Sequence, residues 1–206
     1  MSAATPPTAT DDGESDGESR LIVSLGSNID AGRYLPAALR KLRAEDGFEV
    51  VAHSPVYASA PVGRADQPVF FNSAVRLRSR LRDPVAIRAV FRRIETELDR
   101  VRDPDDPCGP RTIDLDLILI DGVQNAKPQL PDDDLFAYWF VAVPAADVAA
   151  DCPVPGSGET IGQIAERFRD PAAPPREAYG WMPGETVPAA CGRPAEPPRY
   201  VPRGDG

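Results

Sequence analysis

Gly109-Pro110-Arg111-Thr112-Ile113-Asp114-Leu115-Asp116-Leu117-Ile118-Leu119-Ile120 sets two carboxylates two residues apart inside an otherwise apolar, branched run. Side chains of a strand alternate between faces. A strand here turns Asp114 and Asp116 one way, and Ile113, Leu115, Leu117 and Leu119 the other way into a core. Two like charges on one small patch repel, and a cation or a proton relieves them. Alone, such a triplet also reads as a solvated strand face. A divalent metal is the reading its surroundings favour. Magnesium combines one or two carboxylates with phosphate oxygens and retained water, which points to a nucleotide site.

Working outward, Arg100, Arg102 and Arg111 flank the aspartates in an acidic chain. The planar guanidinium fork binds phosphate oxygens in pairs and stays charged, so these three are candidates for the phosphate side of such a site. Neither G-x-x-x-x-G-K-[ST] nor G-x-G-x-x-G occurs, so side chains and metal must hold the phosphates. Asp103-Pro104-Asp105-Asp106-Pro107-Cys108 is polar and Pro-broken, and reads as a surface connection or a lid. On an earlier strand, Phe70 and Asn72 share a face. An aromatic plane beside an amide suits a flat heterocycle with donor and acceptor edges. His53 has no acidic or nucleophilic neighbour at a meaningful spacing and receives no role.

The elements around this constellation follow from periodicity. Leu21 to Leu25 reads as a buried strand ending at Gly26-Ser27-Asn28. Leu35, Ala38, Leu39 and Leu42 give one helix face, with Pro36 expected in the first turn. Val50 to Tyr57 and Phe70 to Leu77 read as strands, and Asp83-Pro84 opens a helix with Ile87, Val90, Phe91, Ile94 and Leu98 on one face. The aspartate strand follows from Thr112 to Ile120, with a further strand expected near Phe140 to Val143. The order strand-helix-strand-strand-helix-strand predicts an α+β, ferredoxin-like split βαβ fold, a mainly antiparallel sheet with helices on one face.

Composition bounds the rest. The formal charge is −9 over 206 residues. Asp11, Asp12, Glu14, Asp16 and Glu18 account for five of these charges, with no base among residues 1–19. That stretch has no large apolar side chain after Met1 and reads as a disordered acidic tail; the stretch 171–206 is rich in Pro, Ala and Gly and reads as irregular. A domain over 20–170 is expected between them. The acidic balance argues against nucleic acid, and no apolar run approaches a membrane span. Cys108, Cys152 and Cys191 are odd in number and lack C-x-x-C spacing, which suits a reducing cytoplasm.

Leu25-Gly26-Ser27-Asn28, Ala60-Pro61-Val62-Gly63 with Asp66-Gln67-Pro68, Phe70-Phe71-Asn72, Arg100-Val101-Arg102 and Gly109 to Asp116 together resemble the 6-hydroxymethyl-7,8-dihydropterin pyrophosphokinase family, over roughly Leu21 to Ala150. The resemblance implies a ferredoxin-like fold and transfer of diphosphate from ATP to the pterin hydroxymethyl group, releasing AMP, in folate biosynthesis. It implies that Asp114 and Asp116 hold two magnesium ions with ATP. It places Glu95, Arg100, Arg102, Arg111 and Leu117 at the nucleotide, with Arg100 and Arg111 catalytic. For the pterin it implies Pro61, Val62, Gly63, Asn72 at the ring edge, and Phe70 with Phe140 as the sandwich. Three departures stand out. The family's usual Arg-Trp before the Gly-Pro-Arg-Thr run is Pro107-Cys108 here, in a loop one residue longer. Asp132 stands at the family's histidine after Leu130-Pro131, and Tyr138 at its arginine. These changes keep a second reading open, a pterin- or nucleotide-binding module on the same scaffold that has lost transfer.

Overall fold

The computed structural model describes residues 18–63, 66–127 and 129–169 and the backbone of 178–179. Six strands form one antiparallel sheet: β1 (Ser19–Ser27), β2 (Phe48–His53), β3 (Val56–Ser59), β4 (Phe70–Ser79), β5 (Asp114–Ile120) and β6 (Ala178–Tyr179). The order is β5-β1-β4-β3-β6, with β2 also pairing β4. Both β1 and β2 run against β4, and α1 (Ala31–Ala44) connects them. In the same way β4 and β5 both run against β1 and are connected by α2 (Pro84–Glu97). Those two split crossovers are the ferredoxin-like arrangement expected from the sequence.

The single strand expected over Val50 to Tyr57 is two. The break falls at Ser54-Pro55, where proline has no N–H for the ladder. Ser54 bridges the gap by donating its backbone N–H to the Ala74 carbonyl at 2.9 Å and accepting the Ala74 N–H on its hydroxyl at 2.9 Å. Thus β2 lies along the later half of β4 and β3 along its beginning, with Tyr57, Ala58 and Ser59 opposite Asn72, Phe71 and Phe70. Pro36 differs too. It sits in the second turn of α1, where it removes the bond to the Gly32 carbonyl, and it is buried. Asp83 caps α2 as expected, its carboxylate accepting the Val85 N–H at 3.0 Å.

Helices cover both faces of the sheet, not one. On the first face α1 and α2 pack over Leu21, Val23 and Leu25 with Leu115 and Leu117, in a core that includes Leu39, Leu42, Phe91 and Ile94. Each such side chain withdrawn from water contributes about 1.5–3 kcal/mol before entropy is counted. On the second face lies α4 (Trp139–Ala149), which replaces the strand expected at Phe140 to Val143. Its neighbours are α3 (Asp134–Ala137) and α5 (Ile161–Glu166), and together they bury Ile22, Ala74 and Ile118. A segment apolar on every side shows no helical period, so an enclosed helix and an enclosed strand read alike. α5 went unread although its start carries a signal: Thr160 accepts the Gln163 N–H while Gln163 returns a bond to the Thr160 N–H.

The two expected tails fall almost wholly outside the described residues. The exception is β6, whose backbone pairs Ala178 with Tyr57 and Tyr179 with Val56 in a stretch read as irregular.

Candidate active site

One face of the three central strands changes character along its length. Going from Ile22 to Ser24 and Gly26 on β1, from Ala74 to Asn72 on β4, and from Ile118 to Asp116 and Asp114 on β5, the side chains pass from apolar to small or polar. The first residue of each series lies under α4. The rest line a cleft of about 260 Å³ that α4 leaves uncovered and to which Phe140 at its first turn contributes. Register aligns the chemistry: Asp116 lies opposite Ser24, and Gly26 lies between Asp114 and Asn72. A Cβ on Gly26 would stand 3.4 Å from Asn72 Oδ1 and 4.0 Å from Asp114 Cβ, ordinary contact with both.

Asp114 is gripped by arginine. It accepts hydrogen bonds from Arg100, and from Arg111 Nη1 at 2.5 Å. Burial raises its carboxyl, but Arg100 and then Arg111 outweigh burial and hold it below the usual carboxylate range. Asp116 differs. It accepts no hydrogen bond from any described residue and is open to the cleft. Loss of solvent on its protein side, and then the charges of Asp114, Asp132 and Glu95, push its carboxyl up to about 7. One carboxylate is therefore neutralised by protein and its neighbour is left short of positive charge.

Glu95, expected at the nucleotide, is 2% exposed and lies behind β5. Its Oε1 accepts the Leu115 N–H at 2.9 Å and Arg100 Nη1 at 2.6 Å, and its Oε2 accepts Arg102 Nη2 at 2.6 Å. Burial raises its carboxyl. Glu95 acts on the cleft through the two arginines and through the backbone between the aspartates. Leu117, also expected at the nucleotide, turns its side chain at 0% exposure into the core under α1 and α2, because alternation points it away from Asp116.

Arg111 is fixed along its whole length. Its N–H donates to Asn28 Oδ1 at 2.7 Å, its carbonyl accepts the Asn28 N–H at 3.1 Å, and its guanidinium donates to the Gly109 and Pro107 carbonyls and lies 5.8 Å from the Phe70 ring centre. Asn28 Nδ2 donates to Gln67 Oε1 at 3.3 Å, and Gln67 Nε2 donates to the Cys108 carbonyl at 2.8 Å. Two loops are thus tied together through side chains at the cleft's lip. Gly109 has no room for a side chain: a Cβ would lie 2.7 Å from Asp106 Oδ2 and 3.1 Å from the Asp106 carbonyl.

The opposite wall is apolar and aromatic. Phe70, Val62 and Phe140 line the cleft, and Asn72 Nδ2 donates to Ser59 Oγ at 2.9 Å. Pro61 and Gly63 share the Val62 loop without lining the cleft. Sequence reasoning missed Ser24, Gly26, Ser59 and Asp134 as cleft residues. For Ser24 and Gly26 the signal was present: they are the small residues of an apolar strand, two apart, on the face that meets the aspartates.

The departures separate. Tyr138 lines the cleft and stacks on Phe140, with centroids 5.0 Å apart and planes at 16°. Cys108 also lines it. Asp132 does not line the cleft. Its Oδ2 pairs with Arg88 at 3.4 Å, its Oδ1 accepts the Asp134 N–H at 3.0 Å, and its own N–H donates to the Ile118 carbonyl at 2.8 Å.

A family profile described as 7,8-dihydro-6-hydroxymethylpterin-pyrophosphokinase matches residues 22–150, which include every residue named above as lining the cleft. The chain belongs to that family. It is similar to the 2-amino-4-hydroxy-6-hydroxymethyldihydropteridine pyrophosphokinase of Haemophilus influenzae, 32% identical over 151 residues, covering 72% of this chain and 92% of that protein. The Pseudomonas aeruginosa protein of the same name is 36% identical over 168 residues, covering 80% and 98% respectively. Among solved structures, a wild-type Plasmodium falciparum HPPK-DHPS with pteroate superposes at a TM-score of 0.57 with 10% identity, over 76% of this chain and 43% of that longer one. That likeness concerns the fold alone. No helix among the described residues is long and apolar enough to cross a membrane.

Proposed function

We propose that this chain transfers the terminal diphosphate of ATP to the hydroxymethyl oxygen of 6-hydroxymethyl-7,8-dihydropterin, releasing AMP, as the names of its relatives in folate synthesis suggest. The observation that carries this reading is the single cleft in which Asp114, Asp116 and Arg111 face a wall made of Phe70, Asn72 and Phe140. A polyanion and a flat heterocycle find their complements there side by side.

The reaction joins the hydroxymethyl oxygen to the β-phosphorus and breaks the bond from that phosphorus to the oxygen kept by AMP. Such a transfer needs alignment and charge neutralisation more than a protein nucleophile. The donor set fits magnesium bound with a nucleotide: two carboxylates on one strand face, Asp116 free of protein donors, and no closed cluster of three ligands among the described residues. Magnesium held by Asp114 and Asp116, two ions by the family resemblance, would neutralise phosphate oxygens. Arg111 lines the cleft beside Asp114, Arg100 pairs with Asp114 from a side chain only 7% exposed, and Arg102, with its side chain 59% exposed, lies outside the cleft lining, where it can meet phosphate oxygens that extend beyond it. Phe70 and Phe140 offer ring faces, and Asn72 an amide for the pterin edge. Cys108 and Cys152 are free thiols, which suits the cytoplasm proposed for the chain.

The binding-only alternative gains nothing from Asp132, whose carboxylate is occupied by Arg88 and a backbone N–H. Protein incubated with magnesium, ATP and hydroxymethyl-dihydropterin tests the proposal. AMP that requires both magnesium and the pterin is the expected product, whereas ADP would identify a monophosphoryl transfer.

A further inference from the structure

Behind the aromatic wall, and outside the cleft, lies a polar pair that the reaction does not use. Tyr57 of β3 is 4% exposed, and its hydroxyl donates to Asp147 Oδ2 of α4 at 2.7 Å. The Tyr57 ring meets Trp139 edge-on at 6.5 Å and 88°, and Trp139 meets Phe140 edge-on at 6.0 Å and 81°. On the other side, the Tyr57 backbone is in register with Asn72. One residue therefore touches both walls that a flat ring would contact: Asn72 through the strand ladder, and Phe140 through Trp139 and the helix that carries it.

Val141, Ala142, Ala145 and Val148 of α4 are buried in one apolar cluster with Ile22, Ala74 and Ile118 of the sheet. Apolar burial holds the helix down but is itself non-directional. A short hydrogen bond to a carboxylate does have direction. We propose that Tyr57 and Asp147 are a positioning pair that fixes the gap between Asn72 and Phe140, and thereby the tightness with which this cleft grips the pterin ring. The pair rests on the functional reading above and adds to it two residues that touch no substrate.

Tyr57→Phe removes one oxygen and leaves ring and backbone in place, so it isolates the tether. Dihydropterin affinity measured by calorimetry should weaken about fivefold to tenfold, the size of one net hydrogen bond, and KM for the pterin should rise with it. kcat and the affinity for magnesium ATP should stay within about twofold. Asp147→Ala should do the same, and the double variant should be no worse than either single one, since both remove a single bond. Asp147→Asn keeps an acceptor and should recover most of the affinity. If Tyr57→Phe and Asp147→Ala lower the melting temperature yet bind dihydropterin as tightly as wild type, the pair is only structural and the proposal is overturned. Wild-type protein that binds no dihydropterin at all overturns the functional reading along with it.

Discussion

The two ends of one sheet face teach more than either does alone. At the covered end, Ile22, Ala74 and Ile118 meet α4 and are at most 1% exposed. One alternation further along the same strands, Ser24, Asn72 and Asp116 meet a cleft. The β1–β5 ladder shifts register between Ile22 and Val23, but the β1–β4 pairing is continuous from one end to the other, so that ladder does not make the difference. It is made by where α4 begins. Its first turn reaches the cleft with Phe140, and beyond it the same face carries Ser24, Asn72 and Asp116. A helix laid over part of a face sorts one strand into core and site.

The sharpest way to break this comparison is to move a carboxylate across the boundary. Ile118→Asp puts an unpaired charge on the same face two residues beyond Asp116, under α4, and should cost more than about 4 kcal/mol in chemical denaturation, enough to unfold a typical domain. A loss below about 1 kcal/mol would mean that α4 does not seal that end. The converse change tests the open end. Asp114→Asn and Asp116→Asn should keep cooperative melting and lower turnover roughly a hundredfold or more, the scale of losing charge stabilisation in a transition state. Asn72→Ala should weaken dihydropterin binding by about 1–3 kcal/mol in calorimetry while ATP affinity stays put. Equal loss for both ligands would point to a folding defect.

A smaller effect separates the two aspartates by pH. Folding raises the Asp116 carboxyl from its ordinary 3.8 to about 7. The folded protein therefore holds that proton more tightly than the unfolded chain. Stability from this group is present at low pH and is lost as pH rises through about 7. Without magnesium, Asp116→Asn should melt a few degrees above wild type at pH 8, at roughly 2–4 °C for each kcal/mol relieved. The gap should narrow steadily as pH falls below 7 and close only below about 3.8, where the carboxyl is neutral in the unfolded chain as well. Asp114 is held low by its arginines, so Asp114→Asn should show no such gain, and a matching gain there would undo the distinction.

The same contrast explains what could be read from sequence. Alternation and length sufficed for β1 and β4, and for β5 as far as Leu117; beyond it an irregularity in the β1–β5 pairing places Leu119, expected on the face of Leu115 and Leu117, in the opposite cluster with Ile118. They sufficed also for α1 and α2, whose period survives because one side faces water. What they could not resolve was enclosure. α4 is apolar on nearly every side even though Asp147 on it is exposed, so Phe140 to Val143 looks like a buried strand, and the second helical layer went unseen. Site residues divide along similar lines. Asp114, Asp116, Phe70 and Asn72 reach one cleft because strand alternation alone puts each pair on a face. Glu95 carries a charge that suits a nucleotide site, but only the packing of α2 on β5 shows that it is buried, whereas alternation already turns the Leu117 side chain into the core. Asp132 could not be read without Arg88, 44 residues away in sequence.

The central claim is that the uncovered end of this face transfers diphosphate, and phosphorus NMR of one reaction mixture tests it most directly. With magnesium, ATP and 6-hydroxymethyl-7,8-dihydropterin, the protein should yield AMP and a pterin diphosphate in equal amounts. Appearance of ADP with a pterin monophosphate, or ATP left intact by protein that binds both ligands, would contradict it.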